Sequence, residues 1–479
     1  MKNIYLKISI ILLSLVITTS CSNDFVNSPE PSGELAPNVI FSSNEGATAH
    51  LSGIMRRLRG QFTRTDAAGI NSMYFARAVK GNDLIQNSWF NFDYENDNRE
   101  PTYTRTRFSW DFPYFVINQT NILIAGVEAA TAISDADKKA LLGQAKTVRA
   151  FFYFQLAMEF QHTYSYDAAL PAPPLYKVRA TEAKGMSTIQ EMYDFILEDL
   201  LYATANLNTS RLGKSYINVN VANGVLARVY QTTHNWTGAE AAANIAYGGG
   251  TPSSFLNTDY TVNNGFNDIT NKEWIWGHQQ TEDQTNYYWL APHVFTDHVN
   301  GPYNGTYINN DFVNLFSATD ARKNDFVNKF NVDPTDPANW YTWISNKFTF
   351  GFTSDYPLMR SAEMVLIEAE AKYYNSDPTG AHTLLFGLQS VRDPLAVKSG
   401  NTGTALLEEI LVERRKELYA EIGVEWFDAK RYRRAIPRTG NSRLMSAGLA
   451  VDDVKFFLKI PQKEIDANDN IDDTVNANR

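Results

Sequence analysis

Apolar residues recur at three- and four-residue steps in two long stretches of the chain, the spacing of helices that bury one face. In the first, Leu141, Ala145, Val148, Phe152, Leu156 and Phe160 form one stripe, and Ser134 with Asp137 supplies a capping-box-like start. A second helix is predicted to begin at Ser187 with Gln190 three residues on, and to carry Ile189, Met192, Ile196, Leu200 and Ala203 on one face. Further helices are expected over 44–62, 112–130, 219–233 and 238–246, and a C-terminal set over 361–374, 380–392 and 405–421. A weak repeat links the two stretches: Ala227 followed by Thr237-Gly238-Ala239 has the spacing of Ala369 followed by Thr379-Gly380-Ala381. Small residues at fixed points let paired helices approach closely, the packing logic of tetratricopeptide-like pairs.

Between the stretches the pattern breaks. From 251 to 358, 22 of 108 residues are aromatic, against 13% overall, among many Asn, Gly, Thr and Pro. Such a segment cannot form a periodic helical layer and is expected to hold short strands, for example 273–277, and long loops. Trp274 and Trp276 alternate along that strand, which places both rings on one face as core. The fold expectation is therefore mainly α, tetratricopeptide-like helix pairs in a superhelical layer, with a loop-rich irregular region containing short strands.

With 479 residues, 44% of them hydrophobic, the chain can fill a substantial core, and disorder is excluded. Its formal net charge of −10 argues against a nucleic-acid binder. Residues 1–20 read as an export signal: Lys2 and Lys7, an apolar run from Ile8 to Ile17, then small polar residues before Cys21, the sole cysteine. Leu15-Val16-Ile17-Thr18-Thr19-Ser20-Cys21 resembles a bacterial lipobox, which makes Cys21 the candidate lipidation site. No later stretch approaches the roughly 20 apolar residues of a membrane span. The expected organisation is a signal at 1–20, a lipid-anchored flexible leash at 21–38, an N-terminal helical region with an aromatic loop at 39–250, the aromatic loop-rich region at 251–358, and a C-terminal helical region at 359–479.

Aromatic rings interleaved with amides and charges are what a sugar requires, because its apolar face packs on a ring while its hydroxyls need planar polar partners. Arg77, Asp83, Trp89 and Asn91 provide one candidate half of such a surface, and Tyr287, Tyr288 and Trp289 the other. Two or three stacked rings at about 1–2 kcal/mol each correspond to millimolar-range capture. Enzyme signatures are poor. His293 and His298 flank Asp297 without metal-ligand spacing, and nucleophile elbows, phosphate loops and dinucleotide fingerprints do not occur. The densest charged motif, Glu413-Arg414-Arg415-Lys416-Glu417-Leu418-Tyr419-Ala420-Glu421, reads as helix-face ion pairs and a fixed turn.

That motif, with Trp426-Phe427-Asp428 and Arg431, resembles the C-terminal hallmark of the SusD/RagB family of outer-membrane lipoproteins. Thr147-Val-Arg-Ala-Phe-Phe-Tyr-Phe, Asp194-Phe-Ile-Leu-Glu-Asp-Leu, Ala227-Arg-Val-Tyr, Arg360-Ser-Ala-Glu-Met-Val-Leu-Ile-Glu-Ala-Glu-Ala and Ile460-Pro-Gln-Lys-Glu-Ile-Asp-Ala-Asn follow in family order. The resemblance implies four tetratricopeptide-like units and a loop-rich ligand face. It also implies residence on the outer face of an outer membrane and action with a SusC-like TonB-dependent transporter. The implied activity is capture and delivery of oligosaccharides, or in some members peptides, with no catalysis. The residues themselves give no cofactor or metal site. A helical-repeat interaction scaffold and a glycosidase with a hidden carboxylate pair are the competing functions.

Overall fold

The computed structural model describes residues 37–59, 67–179, 182–263, 265–282, 293–297 and 305–479. Among them are eleven helices of nine or more residues: α1 (Asn44–Arg57), α2 (Ile70–Lys80), α3 (Thr104–Ala129), α4 (Asp135–Phe160), α5 (Ile189–Asn206), α6 (Val219–Thr232), α7 (Trp236–Tyr247), α8 (Ser361–Tyr374), α9 (Pro378–Arg392), α10 (Gly403–Leu418) and α11 (Val424–Tyr432). Ser134 caps α4 by accepting the N–H of Asp137, as its spacing predicts. On α5 the cap is one residue later than expected. Thr188 and Glu191 form the capping box, because Ser187 is held in a short strand with its hydroxyl donating to Pro173.

The helix expected from residue 112 starts earlier, at Thr104, and runs through Pro113. An interior proline costs a backbone bond and strains the preceding turn. Here Phe108, Trp110 and Phe112 are buried on the same segment, and their packing offsets that cost.

Each helix from α3 to α8 packs against the next, and α8 packs on both α9 and α10. The small-residue repeat maps onto the hairpins α6/α7 and α8/α9. Ala227, Ala239, Ala369 and Ala381 are fully buried, and Asn235 and Asp377 cap the second helix of each pair through the N–H of Gly238 and Gly380. The fold is thus mainly α with tetratricopeptide-like pairing. α7 and α8 touch although residues 248–360 intervene, so the aromatic region is an excursion from the layer.

Among the described residues eight short strands accompany the helices: β1 (Leu84–Gln86), β2 (Pro171–Ala172), β3 (Ser187–Thr188), β4 (Trp274–His278), β5 (Thr306–Ile308), β6 (Phe326–Asn328), β7 (Trp343–Ser345) and β8 (Tyr356–Arg360). β1 joins the excursion's strands in the order β1-β5-β7-β6, so residues before and within the excursion share one sheet. Antiparallel β4 and β8 close the neck. Their register shifts between Trp274 and Trp276, and this bulge overturns the expectation that the two rings share a face. Both are core, but Trp276 meets Phe151 of α4 edge-on at 5.1 Å, whereas Trp274 belongs to the excursion's own core with Phe266 and Phe348.

At the neck, charge replaces apolar packing. The Glu417 carboxylate accepts from Arg360 of β8 at 2.9 Å, from Arg392 of α9 at 2.8 and 3.1 Å, and from Arg322 at 2.9 Å. Glu273 binds Arg360 and Arg392 as well, and Glu421 binds Arg360 and Lys347. The charged motif is therefore structural, as its sequence suggests, but apart from Lys416 with Glu413 its pairs are tertiary rather than along one helix face, and most of them are buried. Against the cost of burial, Arg392, Arg360 and Arg322 hold the Glu417 carboxyl well below its ordinary value of 4.5, Glu273 is lowered by Arg392 and Arg360, and Glu421 by Arg360 and the Lys347 ammonium. Such groups stabilise fully above about pH 4.5, and the contribution is lost as pH falls toward the folded-state value. Glu417→Gln leaves three buried guanidiniums without their shared charge. Denaturant titration at pH 7 is expected to show a loss of about 3–5 kcal/mol, and the variant should lose stability less steeply than the parent below pH 4.5.

Candidate functional site

The loop after β1 is built to hold one ring in solvent. Gln86 is buried, and its side-chain oxygen accepts the N–H groups of Asn87 and Ser88 at 2.9 and 2.8 Å while its amide nitrogen donates to Thr306 of β5. Beyond the loop, Phe90 is enclosed edge-on between Phe75 and Phe295. Asp93 accepts from Arg105 at 3.1 and 3.3 Å, and Tyr94 shares a 2.7 Å hydrogen bond with Ser442. Between these two anchors Trp89 is 45% exposed and the nearby Phe92 61% exposed.

Gly305, at the start of β5, makes this geometry possible. Its carbonyl accepts the N–H of Asn87, and a Cβ there would fall 2.3 Å from Ser88 Cβ and 2.8 Å from the Gln86 side-chain oxygen. Only a residue without a side chain allows so close an approach.

The same surface continues onto the strands. Tyr307 of β5 meets Trp340 edge-on at 5.2 Å, Trp340 meets Tyr341 at 5.5 Å, and Tyr341 meets Phe330 at 5.4 Å. Arg443 joins the two halves: its guanidinium lies 5.9 Å from the Trp340 ring centroid, and it donates to the Asn91 side-chain oxygen and, at 2.9 Å, to the Gln86 carbonyl. Its Nε is buried without a hydrogen-bond partner among the described residues. Asn441 stitches the segment down by donating to the Asn339 carbonyl and accepting the N–H of Asn310. The result is a shelf of partly exposed rings flanked by one guanidinium and one amide. Asn91 also donates to Glu95 at 2.6 Å, which leaves one N–H and one lone pair for a ligand.

Of the sequence candidates, the structure brings Trp89 and Asn91 to this shelf and removes two others from it. Arg77 is 2% exposed; it donates to Glu159 and Gln155 of α4 and lies over Trp426 of α11. Asp83 is 4% exposed and paired with Arg415 of α10. Burial, aided by the neighbouring Glu425 carboxylate and opposed by Arg415, pushes the Asp83 carboxyl up to about 7. Both residues fix α2 and the start of β1 to the C-terminal helices, so closeness in sequence to Trp89 did not mean a shared surface. Cys21, Tyr287, Tyr288, Trp289 and His298 lie outside the described residues. His293 is consumed internally, its Nε2 meeting the Phe266 carbonyl at 2.8 Å. Tyr307, Trp340, Tyr341 and Arg443 were not singled out. The first three carried a signal in the aromatic enrichment of 251–358, whereas Arg443 carried none.

With this geometry in place, comparison with known proteins is informative. Residues 60–231 match a family model described as starch-binding associating with outer membrane, and residues 220–476 match the SusD family model. A SusD-like protein of Formosa agariphila is 24% identical, with 92% of this chain and 93% of the relative covered. Among solved structures, a SusD-like carbohydrate binding protein from Bacteroides vulgatus superposes with a TM-score of 0.79 at 27% identity, covering 90% of this chain and 97% of the other. A laminarin-binding SusD-like protein superposes with a TM-score of 0.70 at 18% identity, covering 89% and 98%.

Gly305→Ala should displace the Ser88 backbone and break the Gln86 clamp, seen as faster amide hydrogen exchange at Asn87 and Ser88. Gly53→Ala in α1, where a Cβ meets nothing within 4 Å, is the contrasting substitution. It should leave that exchange unchanged and raise stability by about 0.5–1 kcal/mol.

Proposed function

Because the chain belongs to the SusD family, a family of carbohydrate binders without catalytic activity, we propose that its ring shelf captures neutral oligosaccharides at the cell surface. In this reading the protein hands its ligand to a TonB-dependent outer-membrane transporter and is tethered by lipid on Cys21. The observation that carries the binding proposal is the paired anchoring of Trp89. The clamped loop leaves that indole 45% exposed, a ring face on which a sugar can stack. Stacking of a sugar on Trp89 and Trp340, with hydroxyls reaching Asn91 and Arg443, combines ring faces with planar polar partners. Tyr287, Tyr288 and Trp289 enter the proposal on their chemistry alone.

Charge favours a neutral ligand. Glu95, Asp311, Asp333 and Asp336 stand on the segments that carry the rings, against Arg443 and Lys329, so a sulfated or uronate-rich chain meets net repulsion. No described helix is long and apolar enough to cross a membrane, which is consistent with attachment from outside the helical body.

Isothermal titration against neutral glycans, anionic glycans and peptides tests this reading. Trp89→Ala is expected to weaken glycan binding at least about tenfold, or about 1.4 kcal/mol, with its thermal transition nearly unchanged. Trp276→Ala, a core substitution, should instead lose about 3–5 kcal/mol of stability. Peptide binding without a glycan response, or shortened products after prolonged incubation with a glycan, would overturn the proposal.

A further inference from the structure

Two stripes of α3 line a second ring-bearing cavity of about 560 Å³, within the roughly 300–1,000 Å³ of small-molecule sites. Trp110, Tyr114, Ile117 and Asn121, at steps of four, three and four, belong to the inner stripe, and Asp111, Phe115 and Asn118 to the outer one. Tyr176, on the segment after β2, adds a further ring, and Lys463 and Glu464 complete the polar part of the lining. None of these residues belongs to the shelf. Arg105, whose bonds to Asp93 help hold the Trp89 loop, precedes Phe115 by ten residues, about 15 Å along the helix. The cavity is therefore a place of its own on the helical layer.

Its rings are fixed in advance of any ligand. Tyr114 donates its hydroxyl to the Pro174 carbonyl at 2.7 Å, and Trp110 Nε1 donates to Glu464 at 3.2 Å. The Tyr176 carbonyl accepts from Asn121 at 2.9 Å, and the Tyr176 N–H donates to the Tyr153 hydroxyl at 2.7 Å. Tyr114 meets Tyr176 edge-on at 5.8 Å and Trp110 at 5.0 Å, so the three rings hold one another. Phe115 is 38% exposed, with Arg57 over its ring at 5.0 Å. The polar lining is mixed in sign, since Arg57 and Lys463 stand against Asp111 and Glu464. Such a rim selects neither an anion nor a cation, but it offers donors and acceptors together, and a sugar hydroxyl both donates and accepts. Asp111 and Lys463 make only an exposed 3.5 Å pair, a contact of little net worth that hydroxyls can replace. The Asn118 amide is exposed beside them. We infer that this cavity is a second, separate binding site for neutral glycans, with a sugar packed on Phe115 and Tyr176 and its hydroxyls on Asn118, Asp111 and Lys463. The inference shares the chemical reading of the shelf but uses none of its residues.

Trp110 in this cavity and Trp89 on the shelf are natural reporters of the two places. The mature chain is labelled with 5-fluorotryptophan, and the two fluorine resonances are assigned through Trp110→Phe and Trp89→Phe. Laminarihexaose, maltohexaose and a neutral tripeptide are each titrated to about 50 mM, well above millimolar affinity. With a hexaose, Trp89 is expected to move first, because the shelf exposes more rings, and Trp110 at higher concentration. The Trp110 response should persist in Trp89→Ala and weaken at least about tenfold in Phe115→Ala. Asn118→Ala, an exposed substitution that leaves the thermal transition unchanged, should weaken it severalfold. Trp110 moving alone would support the cavity and count against the shelf. Trp110 still while Trp89 moves would overturn the second site and leave the shelf reading standing. A Trp110 shift that vanishes in Trp89→Ala, or that survives undiminished in both cavity variants, would also overturn it. So would a Trp110 response to the tripeptide and to neither hexaose. Both resonances still with either hexaose would overturn this inference together with the shelf reading.

Discussion

One carboxylate, that of Glu417, ties the irregular part of the chain to its helical part. It sits on the last turn of α10 and is shared by guanidiniums from β8, from the end of α9 and from the turn holding Arg322. These segments are distant in sequence and meet where the excursion leaves and rejoins the helical layer. An apolar plug there would tolerate sliding, since dispersion is not directional. Fork-shaped guanidiniums on fixed oxygens do not. Removing so many charges from water is costly, and the arrangement persists because almost every donor and lone pair is used. Arg360 and Lys347 also bond the Glu417 carbonyl, placing positive charge at the C-terminal end of α10, where the helix dipole favours it.

The same device recurs along the layer. Arg149 pairs with Asp199 between α4 and α5, Arg228 with Glu363 between α6 and α8, and Arg414 with Asp428 between α10 and α11. Each pair is buried and joins two helices at a set depth and rotation. Gly423 completes the junction of α11 with α2. Its φ of 73° suits glycine, and a Cβ there would fall 2.4 Å from Arg77 Cβ. The frame is thus specified by paired charge and close approach as much as by apolar burial. Its rigidity lets the ring shelf rest on short strands of three residues.

Division of labour follows from this arrangement. Helices supply a regular, self-sealing body in which nearly every backbone group finds its partner locally. The excursion and the loop after β1 lack that regularity, and they carry the three most exposed aromatic residues among those described, Phe92, Phe352 and Phe330. Trp89 was legible because it stands in a short segment crowded with rings and amides. Trp340 and Arg443 were not, since one is hidden in a general enrichment and the other comes from a segment whose composition is ordinary. Arg77 and Asp83 misled for the converse reason: a charged residue near a candidate ring in sequence looks the same whether it faces solvent or a buried counter-charge.

What the amino-acid sequence determined by itself was local and periodic: the positions of most of the long helices, though not of α2 or α11, the capping of α4, the small residues that seat paired helices, and the family resemblance. These depend on contacts within a turn or two, so their spacing records them. Only the tertiary structure decided the partners of the buried charges, the bulge that sends Trp274 and Trp276 into different cores, and the meeting of Asn91, Trp340 and Arg443 from three parts of the chain. Those outcomes depend on long-range approach and on which groups lose their water, and residue spacing along one strand carries no record of either.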